Sequence, residues 1–281
     1  MGKIAILIIS TALFISLNTV VNDSFAQNDN PAYREGIEYA SEGKFKDAEA
    51  WFKNKLKDNK SDATSISSLA VIDDLNNGKI TDAYARSFFT GLDFLQKGKT
   101  DEGLKELEMN IKSDPKYPKA YNVIGIAYAS LGEKSKSISY FQKALEINPQ
   151  YSEACFNLAT LYHSSDQLED ALKYYRKTIS LKPNSFDAII NTAAIYISRE
   201  EYPEAIKYYQ NAIRLDKNNP ETYYDLALAY FMSDQFIKFR ENLLKARELY
   251  QHKGDTDGLE KVAKYIDKIK EIENKLGRAK Q

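Results

Sequence analysis

The stretch that decides the fold is YNVIGIAY, residues 121–128, together with Phe141 and Pro149 further along the chain. Bulky apolar side chains recur here at the spacing of a helix face, and Gly125 interrupts them with a residue that has no side chain. A second helix can approach the backbone closely at such a glycine, and Phe141 supplies the apolar area that fills the space beside the contact. Pro149 has no amide hydrogen and therefore ends that second helix. The sequence predicts a pair of packed helices.

The same pattern returns every 34 residues, so the pair is a repeating unit. In the clearest unit the helices are expected at Lys119 to Leu131 and Lys134 to Ile147, with Gly132 in the turn between them. An aromatic column and a column of small residues three positions earlier mark five units: Phe94, Tyr128, Tyr162, Tyr196 and Tyr230, and Gly91, Gly125, Ala159, Ala193 and Ala227. One helix pair cannot bury its apolar face alone, whereas a stack of pairs buries a continuous core.

These columns resemble the tetratricopeptide repeat family, whose pattern combines an aromatic residue, Leu-Gly, Tyr, then Ala, Phe and a closing Pro. The resemblance extends from Tyr84 to about Tyr250. It departs from the family at Cys155 and Ile189, which replace the leading aromatic residue, and at Phe239, which replaces a small one. The resemblance implies an all-α, right-handed helical-repeat solenoid of about six helix-turn-helix units with a C-terminal capping helix.

The chain divides into five segments by sequence pattern. The insertion between the first unit and the other five has apolar residues every third position and ends at Asn76-Asn77-Gly78, which predicts one divergent helix. The pattern leaves open whether this helix continues the stack or kinks it. The expected segments are a signal peptide at 1–26, an isolated repeat-like unit at 27–62, the insertion at 63–83, five contiguous units at 84–254 and a capping helix at 255–281.

The first residues are typical of an export signal. Lys3 precedes an apolar run at 4–21, and Ser24-Phe25-Ala26 places small residues where an export peptidase cleaves, so Ala26 is the expected cleavage site. An uncleaved membrane anchor is the alternative, because the run approaches the length that spans a bilayer. The expected location is periplasmic or extracellular, with membrane association only if residues 4–21 remain attached.

Composition limits the function classes. A formal net charge of −1 lacks the basic excess that nucleic-acid binding requires, so no nucleic-acid partner is expected. His163, His252 and Cys155 are not spaced as a metal-binding set, and Cys155 falls in a core column. His163 is expected to be a solvated groove residue. No catalytic residue, cofactor or metal is expected, and the chain is not predicted to be an enzyme.

The resemblance to tetratricopeptide repeats places binding on the concave groove lined by the first helix of each unit. Asn157 and Asn191 match asparagines that hydrogen-bond a ligand backbone in peptide-binding members, and an amide can donate and accept at once. Acidic Glu153, Asp187 and Glu221 at the groove edge argue against a clamp for a terminal carboxylate. The expected peptide-binding residues are Phe88, Asn122, Phe156, Asn157, Thr160, Ile190, Asn191, Tyr224 and Asp225.

Three functions remain open at this point. The first is an exported adaptor or scaffold that binds a protein or peptide segment in the groove. The second is a structural or assembly subunit of a cell-envelope complex that uses the convex face or the terminal helix. The third is a carbohydrate-handling protein or enzyme with an aromatic groove. The partner's identity and the oligomeric state do not follow from the sequence.

The export signal makes a prediction about the mature protein. N-terminal sequencing of protein made in a secreting host should find Gln27 first, because cleavage is expected after Ala26. Recovery of chains that begin at Met1 in the membrane fraction would instead support the anchor.

Overall fold

The computed structural model describes residues 33–60 and 62–266. Within these ranges the chain forms helices and turns and no strand. The predicted signal peptide and its cleavage site, as well as the last fifteen residues, lie outside the described residues. Two compact units are present, which we call the N-terminal unit, ending at Gln167, and the C-terminal unit, beginning at Leu168.

The N-terminal unit contains eight described helices. They are α1 Arg34–Ser41, α2 Phe45–Asp58, α3 Ala63–Asn76, α4 Asp82–Gln96, α5 Thr100–Ser113, α6 Pro118–Ser130, α7 Lys134–Ile147 and α8 Ser152–His163. The C-terminal unit contains six helices within its described part. They are α9 Leu168–Leu181, α10 Phe186–Ser198, α11 Tyr202–Leu215, α12 Pro220–Met232, α13 Phe236–Lys253 and α14 at 256–266.

Helices α6 and α7 form the repeat that the sequence predicts most clearly. Phe141 and Ser137 of α7 are fully buried against α6. The Ser137 hydroxyl donates a hydrogen bond of 2.7 Å to the carbonyl oxygen of Gly125, so the two helices meet where both side chains are small or absent. A Cβ added at Gly125 would lie 2.6 Å from Phe141 Cε1. Gly132 has a φ of 75° in the turn between the helices, a conformation that favours glycine.

The C-terminal unit repeats this packing with different side chains. Ala193 on α10 and Ala205 on α11 are fully buried at the corresponding positions, and Tyr209 takes the place of the large aromatic residue. In the next pair Phe239 is buried although the other repeats have a small residue there. Its ring packs against Phe231 at a centroid distance of 5.0 Å, so the bulk is accommodated by an aromatic contact.

A second periodic contact joins neighbouring repeats within each unit. Four residues of the aromatic column are tyrosines. Each tyrosine hydroxyl is hydrogen-bonded to a polar side chain that lies twenty positions earlier, on the preceding second helix. The pairs are Glu108–Tyr128 and Gln142–Tyr162 in the N-terminal unit, and Arg176–Tyr196 and Gln210–Tyr230 in the C-terminal unit. The polar partners are themselves 34 residues apart, so the bond recurs in four successive repeats, and α4 lacks it because Phe94 has no hydroxyl.

The first three helices depart from regular stacking. Helix α1 packs antiparallel to α4: Arg34, at the start of α1, donates to the Gln96 carbonyl at the end of α4. At the other end, a Cβ on Gly43 would lie 2.5 Å from the Arg86 side chain. Helix α2 packs on α1 and α3, and α3 packs on α4. The four helices therefore enclose a shared core, with each helix next to the one before it and α1 next to α4.

Helix α14 packs antiparallel to α13 at the other end of the described chain. Gly258 lies so close to Tyr250 that a Cβ would be 2.2 Å from its ring, and Val262 is fully buried. Asp255 accepts a hydrogen bond of 2.8 Å from the Gly258 amide, which makes Asp255 the N-cap of α14.

The contact between Gly125 and Phe141 gives a stability prediction. Gly125→Val should lower the free energy of unfolding by about 1 to 3 kcal/mol, because its side chain overlaps a ring that close packing holds in place. Chemical denaturation measures the change. In a Phe141→Leu background the same substitution should cost less, because the overlap is relieved. Equal costs in both backgrounds would contradict the packing described for α6 and α7.

Candidate functional site: the face of the first helices

The residues expected to bind a ligand lie on the first helix of each repeat, on the side turned away from the second helix. We call this surface the first-helix face. In the N-terminal unit it is formed by α4, α6 and α8, and in the C-terminal unit by α10 and α12.

On α4 the first-helix face is covered. Phe88 is 2% exposed and its neighbour Phe89 is fully buried. The Phe89 ring lies 6.4 Å from Phe45 of α2, and the Phe88 ring lies 6.3 Å from Tyr117. Phe88 is therefore a core residue, and it offers little area to a ligand. The helices α1 to α3 occupy the space that a groove would need at this end.

On α6 and α8 the predicted residues come together. Asn157 Nδ2 donates a hydrogen bond of 3.0 Å to Asn122 Oδ1, which links two neighbouring first helices. This bond uses one donor and one acceptor of the pair. A primary amide has two N–H donors and a carbonyl oxygen with two lone pairs, so the pair retains one NH₂ group and one carbonyl oxygen with further capacity. Asn122 is only 6% exposed and orients its partner, whereas Asn157 is half-buried, so the remaining N–H and the carbonyl oxygen of Asn157 are the groups that can satisfy both halves of a peptide bond.

The surroundings of this asparagine pair are apolar. Phe156 and Val123 are half-buried and flank the two asparagines in sequence. Thr160 is 1% exposed, and its hydroxyl donates to the Phe156 carbonyl oxygen at 3.0 Å. Thr160 therefore supports the helix rather than presenting a polar group. Phe156 and Asn157 are the members of the predicted set with accessible area in this unit.

In the C-terminal unit the predicted residues differ in accessibility. Ile190 is half-buried, whereas Asn191 is 4% exposed and cannot offer its amide without movement. Tyr224 and Asp225 are half-buried. The Tyr224 ring lies 6.0 Å from that of Tyr265 on α14. The capping helix thus covers the part of the face that α12 contributes.

One lysine at the edge of the first-helix face is held by the insertion helix. Lys119 Nζ donates to Asp74 Oδ2 at 2.6 Å and to the Ala70 carbonyl oxygen at 2.8 Å. Asp74 also accepts from the Tyr117 hydroxyl at 2.9 Å and pairs with Lys79 at 2.7 Å. Burial alone would raise the pKa of Asp74, but hydrogen bonds from Lys119, Lys79 and Tyr117 hold it below its ordinary value. Helix α3 is therefore anchored to α6 by a nearly buried carboxylate.

The residues that could carry other chemistry are not arranged for it. Cys155 is fully buried. His163 is half-buried rather than solvated as predicted, and burial lowers its pKa to about 4, so it is neutral at physiological pH. Within 33–60 and 62–266, no three His, Cys, Asp or Glu side chains lie close enough together to hold a metal ion. In the same ranges, no helix combines the length and apolar character required to cross a bilayer.

Comparison with known proteins agrees with this architecture. Residues 118–151 and 152–185 each match the family model of the tetratricopeptide repeat, and residues 193–234 match a second TPR repeat model. No curated protein matches the chain in sequence. The chain is a tetratricopeptide-repeat protein, and the predicted all-α fold built from such units is confirmed. Proteins of this fold serve in general as scaffolds for protein interactions.

Solved structures of similar fold share little sequence with the chain. The crystal structure of MamA is 22% identical, with 58% of this chain and 96% of that one aligned at a TM-score of 0.55. MamA residues 41-end from Desulfovibrio magneticus RS-1 are 21% identical, over 61% and 97%, at 0.56. YrrB, described as a TPR protein with an unusual peptide-binding site, is 17% identical, over 76% and 97%, at 0.55. At these identities the likeness extends to the fold.

Two features of the site were missed by sequence reasoning. The anchor formed by Asp74 and Lys119 joins residues 45 positions apart across an irregular insertion, and no periodicity marks it. The second feature is the covering of Tyr224 by α14, in which the ring of Tyr265 packs on that of Tyr224. Helix α13 has 18 residues and α11 has 14, which delays the start of α14. That difference in length was the signal available in the sequence.

The Asp74 anchor predicts a pH-dependent stability. A carboxylate whose pKa is lowered by folding adds stability above its unfolded pKa, near 4, and that stability is lost as the pH falls through the folded pKa. Asp74→Asn should therefore destabilise the protein at pH 7 by about 1 to 3 kcal/mol, since it weakens hydrogen bonds from charged groups. The difference from wild type should shrink toward pH 3.

Denaturation curves at several pH values test this prediction, with Asp73→Asn as the matched control. Asp73 is the exposed neighbour of Asp74, so its loss should change little. A similar effect of both substitutions would mean that the buried network does not anchor α3.

Proposed function

We propose that this protein is an exported adaptor that binds an extended peptide segment of another protein on the first-helix face of α6 and α8. The observation that carries the proposal is the bonded pair of Asn122 and Asn157 beside the half-buried side chains of Phe156 and Val123. The half-buried amide of Asn157, oriented by the buried Asn122, can donate to and accept from a peptide backbone independently of its side chains. The apolar neighbours supply the surface that excludes water around such bonds.

Export rests on the sequence of residues 1–26 and is part of the proposal. Cleavage after Ala26 would release the protein to the periplasm or the exterior, while retention of residues 4–21 would tether it to a membrane. The interaction-scaffold fold and YrrB, a TPR protein described as having a peptide-binding site, support the choice of a peptide as ligand.

An assembly subunit of an envelope complex is the second candidate, and one observation favours it. Phe236 and Ile237, at the start of α13, are 57% and 79% exposed, far more than the other apolar residues of that helix. Exposed apolar side chains that lie together mark many interaction sites. This surface is separate from the first-helix face of α6 and α8, so substitutions can distinguish the two functions.

Peptide binding on the first-helix face of α6 and α8 predicts which substitutions weaken binding. In the Asn122→Ala, Asn157→Ala double variant, ligand backbone groups would be left buried without partners, at a cost of about 1 to 3 kcal/mol for each bond lost. Affinity for a captured partner should fall about 5- to 150-fold for each such bond. Phe156→Ala should weaken binding as well by removing apolar area. Isothermal titration with the partner's minimal peptide measures both effects.

The matched control is Asn218→Ala, which removes an exposed asparagine after α11, remote in sequence from the site. It should leave affinity unchanged, and all variants should melt close to wild type. Unchanged affinity in the double variant would overturn the proposal, and a loss with Ile237→Asp alone would transfer the function to the α13 surface.

A further inference from the structure

Within residues 62–266, the contact between α14 and the last repeat contains an acidic group that forms no ion pair. Asp225 lies on α12, half-buried, one residue after Tyr224, whose ring contacts α14. The nearest cation on α14 is Lys261, and it pairs with Glu221 at 3.4 Å. Glu221 precedes Asp225 by one helical turn on the same side of α12 and adds a second negative charge. Among the described residues, two carboxylates and one ammonium group therefore meet where α14 packs on α12, and of the carboxylates Asp225 is the one that is half-buried.

The other groups that face Asp225 do not neutralise it. Tyr209 of α11 and Tyr250 of α13 are buried, and burial, reinforced by carboxylates that include Asp225, raises the pKa of both hydroxyls. Tyr265 of α14 contributes an aromatic ring. Tyrosines of α11, α13 and α14 thus lie near this part of α12, and Lys261, which pairs with Glu221, attracts the Asp225 carboxylate.

We propose that α14 is a proton-sensitive latch, held on the last repeat while the Asp225 carboxyl is neutral and loosened when that carboxyl ionises. The charged form is disfavoured beneath α14 because burial removes its water and Glu221 repels it. Undocking of α14 returns the carboxyl to water and restores its ordinary affinity for protons. Since Tyr265 of α14 packs on Tyr224, release of α14 exposes this part of the first-helix face of α12.

The direction of the pH dependence follows from the two states of Asp225. Burial, aided by Glu221 and opposed by Lys261, raises the pKa of Asp225 to about 7 with α14 docked. A solvated aspartate has a pKa near 4. Docking is therefore strongest below about pH 4, weakens by up to about tenfold per pH unit between about 4 and 7, and levels off above about 7.

Hydrogen exchange followed by mass spectrometry tests the latch in the full mature chain. After correction for intrinsic exchange rates, the opening constant of peptides covering 256–266 should rise at least about tenfold between pH 5 and pH 7.5 in the wild type. Asp225→Asn keeps the size of the side chain but cannot ionise, so its opening constant should be flat over this range and lower than wild type at pH 7.5. Peptides from α6 and α7 should be unaffected.

Asp216→Asn is the matched control, because Asp216 is exposed in the same unit and its profile should follow wild type. A flat wild-type profile, or parallel profiles for wild type and Asp225→Asn, would overturn the latch. The wild-type profile decides the question by itself if Asp225→Asn fails to fold. The result is independent of peptide binding on α6 and α8, so the latch and the proposed function can fail separately.

Discussion

The close approach of two helices at a residue without bulk is the constraint on which the rest of the structure depends. At Gly125 the backbone of α6 meets Ser137 of α7, and their hydrogen bond of 2.7 Å leaves no room for a side chain. This approach fixes the distance and angle between the helices and sends Phe141 into the core. Once α6 and α7 are fixed relative to each other, the orientation of the opposite side of α6 is fixed as well. Asn122 lies on that side and is hydrogen-bonded to Asn157 of α8.

A second contact, a hydrogen bond between polar side chains, then holds neighbouring helix pairs together. From α6 onward, a tyrosine hydroxyl on the first helix of each repeat meets a polar side chain of the preceding second helix, such as Gln210 with Tyr230 at 2.9 Å. A buried hydroxyl without a partner would be unfavourable, so this bond favours one register between neighbouring repeats. The same register places Asn122 and Asn157 within hydrogen-bonding distance. Local packing and the candidate site are thus linked through the repeat period.

The sequence was informative wherever the period of 34 residues applied. It predicted α6 and α7 to within one residue and correctly placed Gly132 in the turn between them. It did not anticipate the pairing of Gln210 with Tyr230, because the polar column contains Glu, Gln and Arg, which share hydrogen-bonding capacity but not identity. Phe88 was expected on the surface because its position in the repeat is a surface position. In the structure it is buried against Phe89 and Tyr117, in a core shared with α1 to α3, whose arrangement depends on contacts outside the period.

Helices α1 to α3 and α14, which lie outside the regular repeats, also determine how much of the first-helix face is accessible in each unit. At α4 the cover comes from the four-helix arrangement with Phe45 and Phe89 in contact, and α3 is secured by Asp74. At α12 the face is covered by α14, whose Tyr265 packs on Tyr224 beside the half-buried carboxyl group of Asp225. Of the residues expected to bind a ligand, Asn157 and Phe156 retain accessible area between neighbouring first helices of one unit. The binding function that we propose therefore rests on this short segment.

The most direct test of this assignment is site-specific photocrosslinking in the cells that make the protein. A photoreactive phenylalanine analogue at Phe156 places the probe on the first-helix face, and the same analogue at Ser139 places it on the exposed side of α7. The account predicts one discrete crosslinked partner from position 156, competed by the partner's own peptide, and none from position 139. Crosslinks from position 139 alone would contradict it.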